Sequence, residues 1–223
     1  PDTPGSDDQC PPENVPTPQV GPIGPDGCDE NPVATSVGPQ SGEVNGSPFL
    51  YAVPENPRGL VMVFHGGGGS KEDIFTRVEL LLFAHDALAA NLVVAALDSV
   101  AHLDPPPDGK FKWDEDPGVC NPDVVNSADM IRALKDPNGL AILADNAPVY
   151  AVGISNGGSM VSRAAQHIDF AAINTHITNA QEFFEDGARI PPVFIIAGEQ
   201  DSTVGPTGPC MLFDDARQAG TDV

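Results

Sequence analysis

Positive charge is scarce in this sequence: ten lysines and arginines stand against 32 aspartates and glutamates, for a formal net charge of −22. Affinity for phosphate backbones comes from basic side chains that release condensed counterions, so no nucleic-acid partner is expected. The imbalance keeps a chain soluble through self-repulsion and suits a saline or extracellular setting. Long apolar runs are missing as well, which leaves no segment near the roughly 20 residues a membrane-spanning helix requires. The four cysteines form no C-x-x-C pair and sit beside no histidine cluster, so zinc-type spacing is absent. The glycine run Gly66 to Gly69 is not followed by the Lys-Ser/Thr pair of a phosphate-binding loop. Neither a resident metal nor a cofactor is therefore expected.

The acidic groups Asp7-Asp8, Asp114-Glu115-Asp116 and Asp214-Asp215 could take up adventitious calcium. Calcium needs six to eight converging oxygens, however, and a solvated acidic face is the preferred reading. Cys10, Cys28, Cys120 and Cys210 allow three disulfide connectivities. The preferred one joins Cys10 to Cys28 and Cys120 to Cys210, with free buried thiols as the alternative. The sequence opens at Pro1-Asp2-Thr3-Pro4 with no signal peptide, as a processed or engineered N-terminus would. With the acidity and the cysteines, this leads to the expectation of a secreted protein.

Ten of the 24 prolines precede Ser41, among Gly, Asp and Asn and without apolar periodicity. Residues 1–40 therefore read as an arm or linker, and 41–223 as one domain. Within that domain, short apolar runs alternate with helical patterns. This argues βαβ units and a mostly parallel sheet with helices on both faces, an α/β fold. Pro48–Val53 is expected as an edge strand, Lys71–Asn91 as a helix capped by Ser70, Ser127–Ala144 as a helix interrupted at Pro137-Asn138-Gly139, and Met211–Gln218 as a helix. Gln181–Gly187 reads as a short connection or small cap element.

What the sequence does contain is Gly153-Ile154-Ser155-Asn156-Gly157, placed between the apolar run Pro148–Val152 and a small-residue helix. G-x-S-x-G at a strand-to-helix turn is a nucleophile elbow: it lifts a serine Oγ clear of the sheet towards a base. Gly59–Phe64 reads as a buried strand running into His65-Gly66-Gly67. Backbone N–H groups of Gly66, Gly67 and Asn156 are the candidate oxyanion donors. Asp201, at the carboxyl end of the strand Pro192–Gly198, is the candidate triad acid, with Glu199 as the nearby alternative.

With these motifs the chain resembles the α/β-hydrolase superfamily, and more narrowly the secreted polyhydroxybutyrate depolymerase and feruloyl esterase group. The resemblance is carried by Arg58–Gly66, Trp113 to Cys120, Ala128–Leu134, Val149–Met160 and Ala197–Val204. It implies a serine carboxylic-ester hydrolase with Ser155 as nucleophile and Asp201 as acid, acting on a polyester or on a carbohydrate-linked or phenolic ester. In the family the catalytic histidine follows the acid, and here no histidine follows Asp201. Thr221-Asp222-Val223 reads as the start of a further strand, so the domain is expected to lack its last strand and helix and to be C-terminally incomplete. Of the five histidines, His65 is expected to order the oxyanion loop, and His85 and His167 to lie on the surface or at a cap. His102 and His176 are candidate substrate contacts, His176 with an outside chance of replacing the base. Trp113, with Phe111 and His102, could give the rim an aromatic surface, or could simply anchor its loop on the core. The alternatives in function are a non-catalytic binding derivative of the fold and a serine peptidase or acyltransferase.

Overall fold

Runs such as Leu60-Val61-Met62-Val63-Phe64 have no polar side, so they are stable as strands only when both faces are covered. The computed structural model describes residues 38–116, 118–178, 191–198, 204–205, 207–218 and 220. In it such runs form the centre of a seven-stranded sheet ordered β1-β2-β4-β3-β5-β6-β7. The strands are β1 (Gln40–Val44), β2 (Ser47–Ala52), β3 (Gly59–Phe64), β4 (Leu92–Leu97), β5 (Val149–Ile154), β6 (Ala172–His176) and β7 (Val193–Ile196). An Asn45-Gly46 turn, both residues at positive φ, joins β1 to β2. β2 pairs antiparallel with β1 and β4, and every neighbour from β4 to β7 is parallel.

The helices are α1 (Asp73–Thr76), α2 (Val78–Ala89), α3 (Pro122–Lys135), α4 (Asn156–Ala164) and α5 (Thr207–Gln218). Alternation along β3 divides the core in two. Leu60, Met62 and Phe64 join Met130, Leu134, Met160 and Ala164 from α3 and α4. Val61 and Val63 join Ile74, Ala84 and Ala87 from α1 and α2. Burying each large apolar side chain contributes about 1.5–3 kcal/mol, enough to hold the carboxyl ends of β3, β4, β5 and β6 on one rim.

Several local expectations change. The single helix over Lys71–Asn91 is broken at Arg77, whose ψ of 131° is extended; Thr76 Oγ1 donates to Glu72 O at 2.9 Å, a back-bond that bends helices. Ser70 caps nothing. α3 begins at Pro122 rather than Ser127, because Asn121 Oδ1 accepts from the N–H groups of Asp123 and Val124 and proline suits the first turn. It stops at Lys135, ahead of Pro137. β1 lies outside β2, so Pro48–Val53 is not the edge, and α5 starts at Thr207 rather than Met211. Cys120 is an exposed free thiol, so the expected Cys120–Cys210 link is not made. Cys10, Cys28, Asp7-Asp8, Gln181–Gly187, Glu199, Asp201 and Thr221–Val223 lie outside the described residues.

Candidate active site

β5 ends at Ile154 and α4 begins at Asn156, which leaves Ser155 alone at the turn with φ 54° and ψ −121°. A non-glycine residue reaches that region only under constraint, at about 1–3 kcal/mol. The flanking glycines are a steric requirement. A Cβ on Gly153 would lie 2.2 Å from Gly157 O, and one on Gly157 would lie 2.2 Å from Phe64 O. Ser155 is held by its backbone: its N–H donates to His176 O at 2.8 Å, and its carbonyl accepts from Gly158 N at 2.8 Å. Among the described residues no side chain hydrogen-bonds Ser155 Oγ.

The loop after β3 lies against this turn. A Cβ on Gly66 would stand 3.8 Å from Ser155 Cβ, and one on Gly67 would stand 3.9 Å from Asn156 Cβ. Gly68 N–H donates to Phe111 O and Gly69 N–H to Gly66 O. Among the described residues, no acceptor takes the N–H of Gly66, Gly67 or Asn156. Residues 111–113 bridge the two sides: Trp113 N–H donates to Asn156 Oδ1 at 2.9 Å, and Trp113 Nε1–H to His65 O at 2.8 Å. Trp113 is 1% exposed and packs on Phe64 and His65. It therefore does not offer the rim an aromatic surface; it anchors the loop. Below it, Arg163 Nη1 donates to Asp114 O at 2.7 Å.

His65 is buried, and its Nδ1 donates to Gly66 O at 2.8 Å. Burial lowers its pKa, which keeps the imidazole neutral. His102 lies on a short 3₁₀ turn, Val100–His102, stacked on Phe111, with Nδ1 taken by Ser99 and Nε2 buried 3.8 Å from Asp98 Oδ1. Its nitrogens thus face inward, away from the substrate role expected for it. His176 stands at the carboxyl end of β6; burial lowers its pKa, and its Nε2 has no hydrogen-bond partner among the described residues. Asp123 holds two segments of the rim, accepting from Val100 N and Asp114 N at 2.7 Å each. Burial pushes its pKa up to about 6, against the lowering effect of those bonds. Neither Asp114-Glu115-Asp116 nor Asp214-Asp215 gathers a set of convergent ligand atoms among the described residues.

No protein-family model matches the chain. A carboxylesterase from Lactobacillus plantarum superposes with a TM-score of 0.60 at 12% identity, over 84% of this chain and 81% of that one. This is the α/β-hydrolase fold. An acylaminoacyl peptidase from Pyrococcus horikoshii shares it, with a TM-score of 0.58 at 13% identity over 85% of this chain and 37% of that one. In sequence the chain is 36% identical over 130 residues to NocK, a presumed esterase of Nocardia uniformis subsp. tsuyamanensis; the match takes in 58% of this chain and 35% of NocK. The chain thus spans little more than a third of the length of that relative.

Within the α/β-hydrolase fold, the structure brings Ser155, Asn156, Gly66, Gly67 and Trp113 together and adds residues that the sequence reading passed over. Asp98, Lys71 and Asp123 are chief among them. Lys71 Nζ lies 2.7 Å from Asp98 Oδ2, and its backbone N–H donates to Oδ1 at 2.8 Å. Asp98 directly follows the apolar strand β4, the one signal that could have singled it out in a chain so rich in acids.

Proposed function

We propose that this α/β-hydrolase is a serine carboxylic-ester hydrolase that works through an acyl-enzyme. The observation that carries the proposal is Ser155 held at φ 54° beside two glycines that admit no side chain, facing a loop in which the Gly66 and Gly67 N–H groups have no acceptor among the described residues. In the reaction Ser155 Oγ attacks the ester carbonyl carbon and the carbonyl oxygen becomes an oxyanion. The N–H groups of Asn156 and of Gly66 or Gly67 receive it, and the alcohol leaves with a proton. Water then attacks the acyl group and releases the acid. Asp201 is the acid of this scheme. The general base is the one member that the sequence does not supply after Asp201.

The substrate class we propose is that of the group the sequence resembles, a polyester or a phenolic or carbohydrate-linked ester, met outside the cell by a secreted protein. The likeness to the presumed esterase NocK supports an ester as target. One observation favours a second reading: no described imidazole reaches Ser155 Oγ, as in a binding derivative of the fold. Turnover of p-nitrophenyl esters separates the two. The hydrolase reading expects Ser155→Ala to lower kcat by about 10⁴-fold or more; unchanged turnover would remove Ser155 from the mechanism.

A further inference from the structure

The structure assigns a site for one divalent transition-metal cation of the zinc class to His65, Asp98 and His102, where the loop after β3 meets the carboxyl end of β4. One ligand atom from each residue lies within 4.8 Å of the other two. Some point therefore lies within about 2.8 Å of all three atoms, so bonds of about 2.0–2.1 Å need closure by less than about 1 Å.

For His65 the hydrogen bonds fix which nitrogen is available. A carbonyl oxygen only accepts, so His65 Nδ1, 2.8 Å from Gly66 O, carries the proton and Nε2 the lone pair. His102 Nδ1 lies 3.2 Å from both the carbonyl oxygen and the hydroxyl of Ser99, and in the tautomer that donates to the carbonyl its Nε2 is bare. That Nε2 is buried without a hydrogen-bond partner among the described residues, 3.8 Å from Asp98 Oδ1. A buried acceptor with no donor is costly, and a cation removes the cost. Metal-ligating histidines characteristically give the other ring N–H to a backbone carbonyl, as His65 does here and as His102 Nδ1 is placed to do.

Two imidazole nitrogens with one carboxylate suit zinc, cobalt(II) or nickel(II); calcium and magnesium require oxygens. The competitors are weak or shared. Ser99 N–H reaches His65 Nε2 only at 3.4 Å, and Lys71 holds Asp98 without occupying either histidine. Because Asp98 is divided between the ammonium and the metal, the cation is held less firmly than by an undivided carboxylate. Its role is structural: it ties His65, at the head of the glycine loop, to the end of β4. The assignment does not depend on the esterase reading.

The test is a titration of the chelator-treated full chain with zinc and with cobalt(II). We expect one equivalent bound per chain, a higher thermal midpoint with zinc, and a visible cobalt band of nitrogen-ligated, four-coordinate type. His102→Gln and Asp98→Asn should each weaken binding at least about tenfold, whereas His85→Gln, on the exposed side of α2, should not. Failure of the unaltered chain to retain zinc overturns the assignment whatever the variants do. So does a folded His102→Gln protein that binds zinc as tightly as its parent.

Discussion

Gly157 lies directly against the end of β3: a methyl group on its Cα would stand 2.2 Å from the carbonyl oxygen of Phe64. Both partners are backbone, so neither can swing away as a flexible side chain would. Overpacking of this kind costs about 1–3 kcal/mol where relaxation is possible. Gly157→Ala should therefore lower the unfolding free energy by at least that amount, read as a lower denaturation midpoint, and Gly153→Ala should do the same. A wild-type midpoint in either variant would show that the elbow is looser than described.

Asn156 contributes a second contact through its side chain, the acceptor for Trp113 N–H. Asn156→Ala leaves that donor unpaired, at about 1–3 kcal/mol. Asn156→Asp keeps an acceptor, so it should recover most of the stability while placing negative charge beside the developing oxyanion. We expect its turnover to stay depressed. Recovery of both stability and turnover would contradict the oxyanion role of this position.

Trp113→Phe keeps the buried ring but removes the Nε1–H bond to His65 O. Because this bond anchors the start of the glycine loop, kcat should fall several-fold with little change in KM, and stability by about 1–3 kcal/mol. A change confined to KM would instead make Trp113 a substrate contact.

Asp123 gives the stability curve a pH dependence. Its pKa in the fold is raised by burial to about 6 from 3.8, with the N–H groups of Asp114 and Val100 opposing the rise and the Asp114 charge adding to it. A raised carboxyl binds its proton more tightly folded than unfolded. Its contribution is therefore fully present below pH 4 and is lost as pH rises through 6, on the order of 3 kcal/mol in all. Asp123→Asn cannot ionise, so it should gain on the wild type between pH 4 and pH 7. A stability difference that is flat over that window would remove the buried charge from the account.

Much of the fold could be read from the chain because its strands are buried on both faces and so appear as unbroken apolar runs, as in Gly59–Phe64 and Leu92–Leu97. The elbow was legible for a steric reason: Gly153 and Gly157 are spaced by contacts that permit nothing larger. Features set by tertiary contact were not. Nothing in composition marks the break at Arg77, and the coil around Trp113 has no periodicity to say that its ring is buried. Asn121-Pro122 did carry a capping signal, but it stood at the end of a proline-rich stretch that reads as loop. His65, Asp98 and His102 are separated by 33 and 4 residues along the chain, and only the parallel pairing of β3 with β4 brings them together.

The measurement that bears most directly on the central claim is reaction of the full-length protein with a fluorophosphonate, followed by mass spectrometry of its peptides. If Ser155 is an activated nucleophile, the adduct forms stoichiometrically on the peptide that contains it and disappears in Ser155→Ala. A protein that takes up no label, or takes it up on another residue, contradicts the account.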